Sequence, residues 1–313
     1  MTCRLVVLPD ASRDHARRLA DDLPDVEVVV ADDADAAEEL LAGAEAAYGT
    51  LTPTLLAAAP ALRWLQAPQA GPPPEFYFAE LVAHRVVVTN LRDTYTDHVA
   101  THTVAMLLAL ARNIPAYARA RTWAPMDDVL HLQRATVLVV GLGAVGTEVA
   151  RQLGPFGATI IATDARLAQR PAGVAELHPA DALDALLPRA DAVVLTVPHT
   201  PATDGLMSAR RLALLEPSAV LVNVGRGALV DLDDLVVSLR AGQLRAAAID
   251  VVPHEPLPDD HPLWTMPQVL ITPHVAGVGP ETDERRYAVV RDNAERFAAG
   301  RALRNVVDKA NRF

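Results

Sequence analysis

Residues 136–164 of this 313-residue chain read TVLVVGLGAVGTEVARQLGPFGATIIATD. An apolar, β-branched run over 137–140 leads into Gly141-Leu142-Gly143-Ala144-Val145-Gly146, a G-x-G-x-x-G pattern. A segment with helical periodicity follows, and then a second apolar run over 159–163 that ends in Asp164. This order of strand, glycine turn, helix, strand and acid predicts a βαβ unit of the kind that binds a dinucleotide.

Each glycine of the pattern has a physical role in such a unit. Gly141 allows a tight turn out of the strand, Gly143 lets the backbone approach a pyrophosphate, and Gly146 lets the helix pack closely on the strand. The unpaired N–H groups at the start of the helix attract phosphate. A lone pattern is weak evidence, since glycine-rich turns also occur in α/β proteins that bind nothing. Here every neighbouring element that the motif requires is present, which favours the binding interpretation.

Asp164 bears on the choice of cofactor. A carboxylate about twenty residues beyond the glycines accepts hydrogen bonds from the adenosine ribose, and its charge repels a 2′-phosphate. The residue therefore predicts NAD, with NADP the less favoured cofactor. Arg166 leaves that alternative open, because a guanidinium at this position can reach a 2′-phosphate.

Composition and charge limit the class of protein. The chain is long enough for two ordinary domains, and 51% of its residues are hydrophobic, which supports a sizeable core. The net charge of −11 argues against nucleic acid or an anionic membrane surface as a partner. The single cysteine, Cys3, excludes a disulfide framework and a cysteine-based zinc site. We expect a cytoplasmic protein, because no segment has the pattern of a signal peptide or a membrane span.

Strand and helix patterns alternate on both sides of the glycine unit, which predicts parallel sheets. Residues 1–95 predict a small α/β unit with strands over 5–8, 26–30, 46–48, 64–66 and 86–89. Residues 98–112 predict a helix with a broad apolar face and with Asp97 as its N-cap. A charged helix is expected over 281–299, and a terminal strand over 305–307 returns to the first unit.

Further strands are predicted over 192–197, 220–224, 246–251 and 269–272. In an open parallel sheet, ligands bind outside the carboxyl ends of the strands. The residues at these ends are Gly141, Asp164, Pro198, Arg226, Asp250 and His274. The sequence therefore places them around one crevice, although they lie far apart along the chain.

Three polar residues near these ends suit hydride transfer to a ketone. Arg226 lies between two glycines, and its guanidinium can hold a carboxylate through two parallel hydrogen bonds. His274 can exchange a proton near neutral pH, and a carboxylate such as Glu255 beside it would favour the imidazolium. Spacing alone leaves ordinary interpretations open: a surface ion pair for the arginine, a loop histidine, and a solvated glutamate.

His98 and His102 lie at positions i and i+4 of the predicted helix, a spacing that can suit a metal ion. No Asp, Glu or Cys at a matching position completes a ligand set. We therefore interpret both as helix-face residues and expect no metal site.

The run VLVNVGRGALVDLDDLVVSLRAGQLRAAAIDVVPHEPLPDDHPLW, followed by VLITPHVAG, resembles the D-isomer-specific 2-hydroxyacid dehydrogenase family. The glycine unit and the segment LTVPHTPATDGLM are similar to the same family. The resemblance covers residues 96–280 and extends more loosely to both ends. It implies an α/β protein in which a Rossmann dinucleotide-binding domain, residues 96–285, is inserted into a flavodoxin-like substrate domain, residues 1–95 plus 286–313. It also implies a homodimer formed through the Rossmann domains, with the helix at 98–117 contributing.

The resemblance implies roles for individual residues. Arg226 matches the substrate-orienting arginine, His274 the acid/base and Glu255 its partner. Asp250 matches the acid near the nicotinamide carboxamide. The other positions that match the cofactor site are Gly141, Gly143, Ala144, Val145, Gly146, Asp164, Val197, Pro198, Val224, Gly225 and Gly277, together with His274 itself.

The loop of the first domain departs from the family pattern. Where the family commonly has A-G-V-D, with backbone amides on the substrate carboxylate, this chain has Ala70-Gly71-Pro72-Pro73, and Pro74 follows. Gly71 can still present an amide, but each proline removes a donor. The substrate site implied by the resemblance comprises Ala70, Gly71, Arg226 and His274.

The expected function is a hydride transfer between NAD(H) and a small 2-oxo acid or D-2-hydroxy acid, similar to a glyoxylate/hydroxypyruvate reductase. Two alternatives remain at this stage. One is a dinucleotide-sensing binding protein, similar to the corepressors that share the fold, since fold alone does not define function. The other is a formate- or phosphite-type dehydrogenase of the same fold.

Overall fold

The structure, a computed structural model, describes residues 3–166 and 169–312. The chain forms two compact units, one made of Met1–Tyr95 with Gly279–Phe313 and the other of Thr96–Val278. The sequence-based boundary between 285 and 286 falls inside the helix Thr282–Ala298. The division found in the structure keeps this helix whole, because its buried face packs in the core of the first unit.

The first unit contains a five-stranded parallel sheet in the order β2-β1-β3-β4-β5. The strands are β1 Cys3–Val7, β2 Val26–Val30, β3 Ala46–Tyr48, β4 Trp64–Gln66 and β5 Val87–Thr89. The helices are α1 Arg13–Asp22, α2 Ala34–Leu41, α3 Pro53–Ala57, α4 Ala79–Ala83 and, from the end of the chain, α11 Thr282–Ala298. This strand order is that of the flavodoxin-like fold.

Local sequence explains where the helices of this unit begin. Ser12 precedes α1 and its Oγ accepts a hydrogen bond from the His15 amide at 3.2 Å. Asp33 caps α2 in the same way. Such side chains satisfy amides that have no partner within the helix, so they fix the first turn.

The second unit contains a seven-stranded parallel sheet in the order β12-β11-β10-β9-β6-β7-β8. The strands are β6 Thr136–Val140, β7 Thr159–Asp164, β8 Glu176–Pro179, β9 Ala192–Leu195, β10 Val220–Asn223, β11 Ala246–Ile249 and β12 Val269–Ile271. The helices are α5 Thr96–Ala111, α6 Ile114–Arg119, α7 Ala144–Leu153, α8 Leu183–Leu186, α9 Ala209–Leu212 and α10 Leu232–Arg240. The order is that of the Rossmann fold with one further strand, and the direction of winding reverses between β6 and β9.

The register of this sheet aligns the strand ends. Val140 pairs with Thr163 on one side and with Leu195 on the other. Leu195 in turn pairs with Asn223, and Asn223 with Ile249. Because the strands are parallel and end at the same level, the residues that follow them meet at one edge of the sheet.

Several predicted boundaries were wrong. Helix α5 begins at Thr96, so Asp97 lies in its first turn and is not the N-cap. The apolar pattern of 98–117 is also not one helix: Asn113 has φ of 56°, which ends one helix before α6 begins. The predicted terminal strand over 305–307 is a single antiparallel bridge between Thr89 and Val306. Strand β8 was missed, because Glu176-Leu177-His178-Pro179 is short and polar.

His15 is a buried titratable group in the first unit. Its side chain is 1% exposed, its Nδ1 lies 3.2 Å from the Tyr48 hydroxyl, and its Nε2 lies 3.2 Å from a carboxylate oxygen of Asp283. Burial lowers the pKa of His15, and the carboxylate of Asp283 only partly opposes this effect. The unfolded chain therefore takes up a proton at a higher pH than the folded protein does.

We predict that the stability of the protein falls as the pH drops through the range of ordinary histidine titration, about pH 7.5 to 5.5. Stability is fully present above the pKa of the unfolded state and is lost toward the lowered pKa of the folded state. His15→Gln removes this titration, so its melting temperature should fall less over the same range. The exposed His131→Gln serves as the control and should behave as wild type. Equal pH dependence in all three proteins would contradict the prediction.

Candidate active site

The glycine loop after β6 leaves no room for side chains at two positions. Gly141 has φ of +98°, and a Cβ on it would lie 2.7 Å from Cγ1 of Val197. A Cβ on Gly146 would lie 1.9 Å from the carbonyl oxygen of Gly141. Helix α7 therefore begins in direct contact with the turn that leaves β6. This close packing is what the G-x-G-x-x-G pattern requires for a dinucleotide cradle.

The start of α7 is open to a phosphate group. Gly143 is the N-cap residue and supplies no side-chain hydrogen bond to the first turn. Ala144 is exposed and Val145 is partly exposed, whereas Gly146 is buried. The first amides of the helix have no intrahelical acceptor, and they carry the positive end of the helix dipole. The residues present therefore fit the pyrophosphate of a dinucleotide.

Asp164 lies at the carboxyl end of β7, beside this cradle. One of its carboxylate oxygens accepts a hydrogen bond from the Leu142 amide at 2.9 Å, and the other accepts from the Arg166 amide at 2.8 Å. The guanidinium Nε of Arg166 lies 3.7 Å from the same carboxylate. Each carboxylate oxygen has a second lone pair available for a ribose hydroxyl. The carboxylate is thus fixed by the glycine loop itself.

The loops after β9 and β10 touch each other at the same edge. Val197 is half-buried and Pro198 exposed after β9, and Val224 and Gly225 are buried after β10. A Cβ on Gly225 would lie 2.7 Å from the carbonyl oxygen of Val197. The structure therefore brings these four predicted cofactor positions together with Gly141.

Asn223 shapes the turn that presents Arg226, and sequence reasoning missed it. The Asn223 side chain is fully buried; its Oδ1 accepts from the Gly225 amide at 3.1 Å, and its Nδ2 donates to the Arg226 carbonyl at 3.0 Å. Its position as the last residue of an apolar strand, directly before a glycine-rich turn, was the available signal. The Arg226 side chain is half-buried and donates to the carbonyl of Gly225.

The turn of Arg226 also packs against the segment that leads to Glu255. A Cβ on Gly227 would lie 1.9 Å from the carbonyl carbon of Val252. The Val252 amide in turn donates to Oε1 of Glu255 at 3.3 Å. The loops that carry Arg226 and Glu255 are therefore in contact, although the chain separates them by a helix and a strand.

Asp250 follows β11 and organises the segment after β12. Its Oδ1 accepts from the Thr272 hydroxyl at 2.5 Å and from the Val275 amide at 3.0 Å, and its Oδ2 accepts from the Ala276 amide at 3.0 Å. The backbone carbonyl of Asp250 accepts from the His274 amide at 2.7 Å. The carboxylate is buried, so these bonds replace its hydration. Gly277, half-buried, follows directly in the chain.

His274 and Glu255 form the central polar pair of the site. Nδ1 of His274 lies 2.8 Å from Oε2 of Glu255, and the side chains are 52% and 40% exposed. An ionised carboxylate only accepts hydrogen bonds, so Nδ1 carries the hydrogen of this contact. His274 adopts φ of 53°, which is uncommon for a residue other than glycine. The hydrogen bonds of its amide to Asp250 and Thr272 hold it there.

The predicted substrate positions Ala70 and Gly71 belong to the first unit. The carbonyl of Ala70 accepts from the Asn90 side chain at 2.7 Å, and the Leu91 amide donates to the Gln69 carbonyl at 3.1 Å. These bonds anchor the loop to the segment after β5.

No group of three or more His, Cys, Asp or Glu side chains in the described part of the chain is arranged to hold a metal ion. His102 instead directs Nε2 toward the Thr272 hydroxyl at 3.0 Å. Within residues 3–166 and 169–312, no helix combines the length and the apolar character that crossing a membrane requires.

The family model described as "D-isomer specific 2-hydroxyacid dehydrogenase, NAD binding domain" matches residues 104–276. This match covers more than half of the chain and includes every strand of the second unit. The chain therefore belongs to the D-isomer specific 2-hydroxyacid dehydrogenase family. Its members are oxidoreductases, and the matched domain is their NAD(P)-binding domain.

One relative in sequence is a D-3-phosphoglycerate dehydrogenase from Methanocaldococcus jannaschii, 33% identical over 230 residues. The match covers 72% of this chain and 44% of that protein, so this chain spans less than half of the length of that relative.

Two solved structures are similar to nearly the whole chain. A D-isomer specific 2-hydroxyacid dehydrogenase from Xanthobacter autotrophicus, solved with NADPH and MES, has a TM-score of 0.85 and 30% identity over 100% of both chains. An NADPH-dependent glyoxylate/hydroxypyruvate reductase from Sinorhizobium meliloti, solved with NADP and sulfate, has a TM-score of 0.82 and 28% identity, covering 99% of this chain and 100% of the other. The two-unit α/β fold is thus the fold of the family.

We predict that Gly146→Ala greatly weakens the binding of NADH and NADPH, by at least about tenfold. The added Cβ would meet the Gly141 carbonyl at 1.9 Å and push α7 away from the turn. Gly154→Ala is the matched control, because no atom lies within 4 Å of a Cβ there. Titration of cofactor fluorescence, with melting temperature as a check on folding, measures both variants. Wild-type affinity in Gly146→Ala would contradict the assignment of the cradle.

Proposed function

We propose that this protein reduces a small 2-oxo acid to the D-2-hydroxy acid with NADH, and catalyses the reverse oxidation. The observation that carries the proposal is the His274–Glu255 pair at 2.8 Å, at the strand edge that also holds the glycine cradle. A histidine oriented by a carboxylate at Nδ1 is suited to deliver a proton from Nε2. The membership of the family supports this chemistry for the site.

In the proposed reduction, Arg226 holds the carboxylate and the carbonyl oxygen of the oxo acid. A dinucleotide held by the glycine cradle would supply the hydride for C2 of the oxo acid. His274 gives its Nε2 proton to the carbonyl oxygen, so the carbonyl group becomes an alcohol and the imidazolium becomes neutral imidazole. Glu255 holds the ring by its Nδ1–H in both states and stabilises the imidazolium before transfer.

We further propose glyoxylate, hydroxypyruvate and oxo acids of similar size as substrates. The similarity to the reductase from Sinorhizobium meliloti supports this class. In this proposal the backbone at Ala70 and Gly71 contacts the substrate carboxylate. Pro72 and Pro73 have no amide hydrogen, so fewer backbone donors are available in this loop than in the common A-G-V-D loop.

For the cofactor we propose NAD in preference to NADP. The Asp164 carboxylate is fixed at the end of β7 by two amides, where its charge opposes a 2′-phosphate. Both solved structures described above contain NADPH or NADP, so the cofactor preference of this chain is to be measured directly.

We propose a homodimer formed through the second unit. The chain from α6 to the start of β6 exposes five large apolar side chains, with Trp123 fully exposed. The others are Ile114, Tyr117, Met126 and Val129. Exposed apolar clusters of this kind mark protein–protein contacts, and a second copy of this chain is the proposed partner.

The experiment that tests the proposed reaction is cofactor oxidation with a panel of 2-oxo acids. His274→Ala should lower kcat by about 10²- to 10⁴-fold and leave NADH affinity within a few-fold of wild type. His131→Ala, an exposed histidine of the same unit, is the control. Cofactor binding without turnover of any oxo acid would contradict the enzyme and favour a sensor.

The cofactor preference is tested by Asp164→Ser. Removing the charge should raise the ratio of kcat/KM with NADPH to that with NADH by about tenfold or more, because the 2′-phosphate is no longer repelled. Adding Arg166→Ala to this variant should reverse much of the rise in the NADPH/NADH ratio, since the Arg166 guanidinium lies beside the carboxylate of residue 164. An unchanged ratio in Asp164→Ser would contradict the role of the carboxylate.

A further inference from the structure

Helix α5 directs one histidine toward the segment that carries His274. Nε2 of His102 lies 3.0 Å from the hydroxyl oxygen of Thr272 and 3.7 Å from Oδ1 of Asp250. The side chain of His102 is 24% exposed and that of Asp250 is 1% exposed. A histidine interpreted from sequence as an ordinary helix-face residue thus contacts the residues that hold the catalytic turn.

The Thr272 hydroxyl has one hydrogen, and this fixes the direction of its hydrogen bonds to Asp250 and His102. The Thr272 hydroxyl lies 2.5 Å from Oδ1 of Asp250, and the two oxygens of that carboxylate also accept the amides of Val275 and Ala276. A carboxylate that takes two amides is the ionised, accepting form, so the single hydroxyl hydrogen of Thr272 points to it. The Thr272 oxygen must then accept at 3.0 Å, and the hydrogen comes from Nε2 of His102.

The three side chains therefore form a directed relay, from His102 to the Thr272 hydroxyl to the Asp250 carboxylate. Hydrogen bonds in such a chain polarise and strengthen one another where solvent access is low. The far end of the relay is the group around which the His274 turn folds, since Asp250 also accepts the His274 amide at 2.7 Å through its backbone carbonyl.

We propose that His102 is a positioning residue for the cofactor site. By donating to the Thr272 oxygen, His102 keeps the hydroxyl hydrogen of Thr272 directed toward the Asp250 carboxylate. This holds the carboxylate in the position where it would bind the carboxamide of the nicotinamide. His102 acts through Thr272 and Asp250 and does not itself touch the reactants. This inference rests on the proposed function, in which Asp250 contacts the nicotinamide.

A filling role and a donor role for His102 make different predictions. If the side chain only fills space, an apolar residue of similar volume at this position is tolerated, since Val99, Thr103 and Met106 of the same helix are already buried. If it donates, a side chain that keeps an N–H at the same reach preserves the relay. His102→Gln keeps such a donor and His102→Leu removes it, so the pair separates the two roles.

The experiment measures the affinity for NADH by fluorescence titration, with kcat and melting temperature alongside. His102→Leu should weaken NADH binding about tenfold, and His102→Gln should stay within about threefold of wild type. Thr272→Val should reproduce the loss and Thr272→Ser should restore the affinity. The double variant His102→Leu with Thr272→Val should be no worse than either single variant, because both break one relay. The control is His131→Gln, an exposed histidine of the same unit.

Several results would overturn the relay. They are wild-type affinity in His102→Leu, an equal loss in the Gln and Leu variants, and additive losses in the double variant. NADH binding is measured without substrate. A wild-type protein that binds NADH but reduces no oxo acid would contradict the proposed reaction, and the titrations would still test the relay. A wild-type protein that binds no dinucleotide would overturn both.

Discussion

The hydrogen-bonded surroundings of the Asp250 carboxylate are the constraint on which the candidate site depends. A buried carboxylate is costly unless its lone pairs are satisfied, and here a hydroxyl and two amides from the segment after β12 satisfy them. To supply those donors, the backbone must turn sharply, and His274 takes a positive φ in that turn. The position of His274 is thus set by the hydrogen-bonding requirement of a neighbouring buried carboxylate.

The parallel register of the second sheet supplies the rest of the arrangement. Because neighbouring strands end at the same level, the glycine cradle after β6, the Asn223 turn after β10 and Asp250 after β11 come to one edge. Fixed turns at that edge need no ordering when a ligand binds, which lowers the entropic cost of holding reactants. The glycine cradle and the His274–Glu255 pair both lie at the carboxyl-terminal edge of this sheet.

Much of this could be predicted from the sequence because the strong signals are local. The glycine pattern predicts positions at which no side chain fits, and the structure shows such crowding at Gly141 and Gly146. Short apolar runs such as 220–222 predicted strands, since parallel strands are buried on both faces and lack a polar alternation. Strand β8 was missed because it lies at the edge of the sheet, where burial imposes no apolar pattern.

The other failures have two physical causes, which are local backbone and side-chain geometry and contacts that are distant in sequence. The break at Asn113 interrupts an apolar pattern that continues on both sides. Asn223 was assigned only to the end of a strand, and its hydrogen bonds to the Gly225 amide and the Arg226 carbonyl follow from the geometry of the turn. His102 is 170 residues from Thr272, and the two side chains meet only because the fold packs α5 against β10 and β11.

The most direct test of the central claim is to follow the transferred hydrogen itself. NADH carrying deuterium at the transferable position of the nicotinamide ring is incubated with the protein and a 2-oxo acid such as glyoxylate, hydroxypyruvate or pyruvate. Mass spectrometry locates the label in the product, and chiral chromatography gives the configuration where C2 is a stereocentre. Our account predicts deuterium on C2 and the D configuration. Product without the label, or of the L configuration, would contradict direct hydride transfer in a site of this geometry.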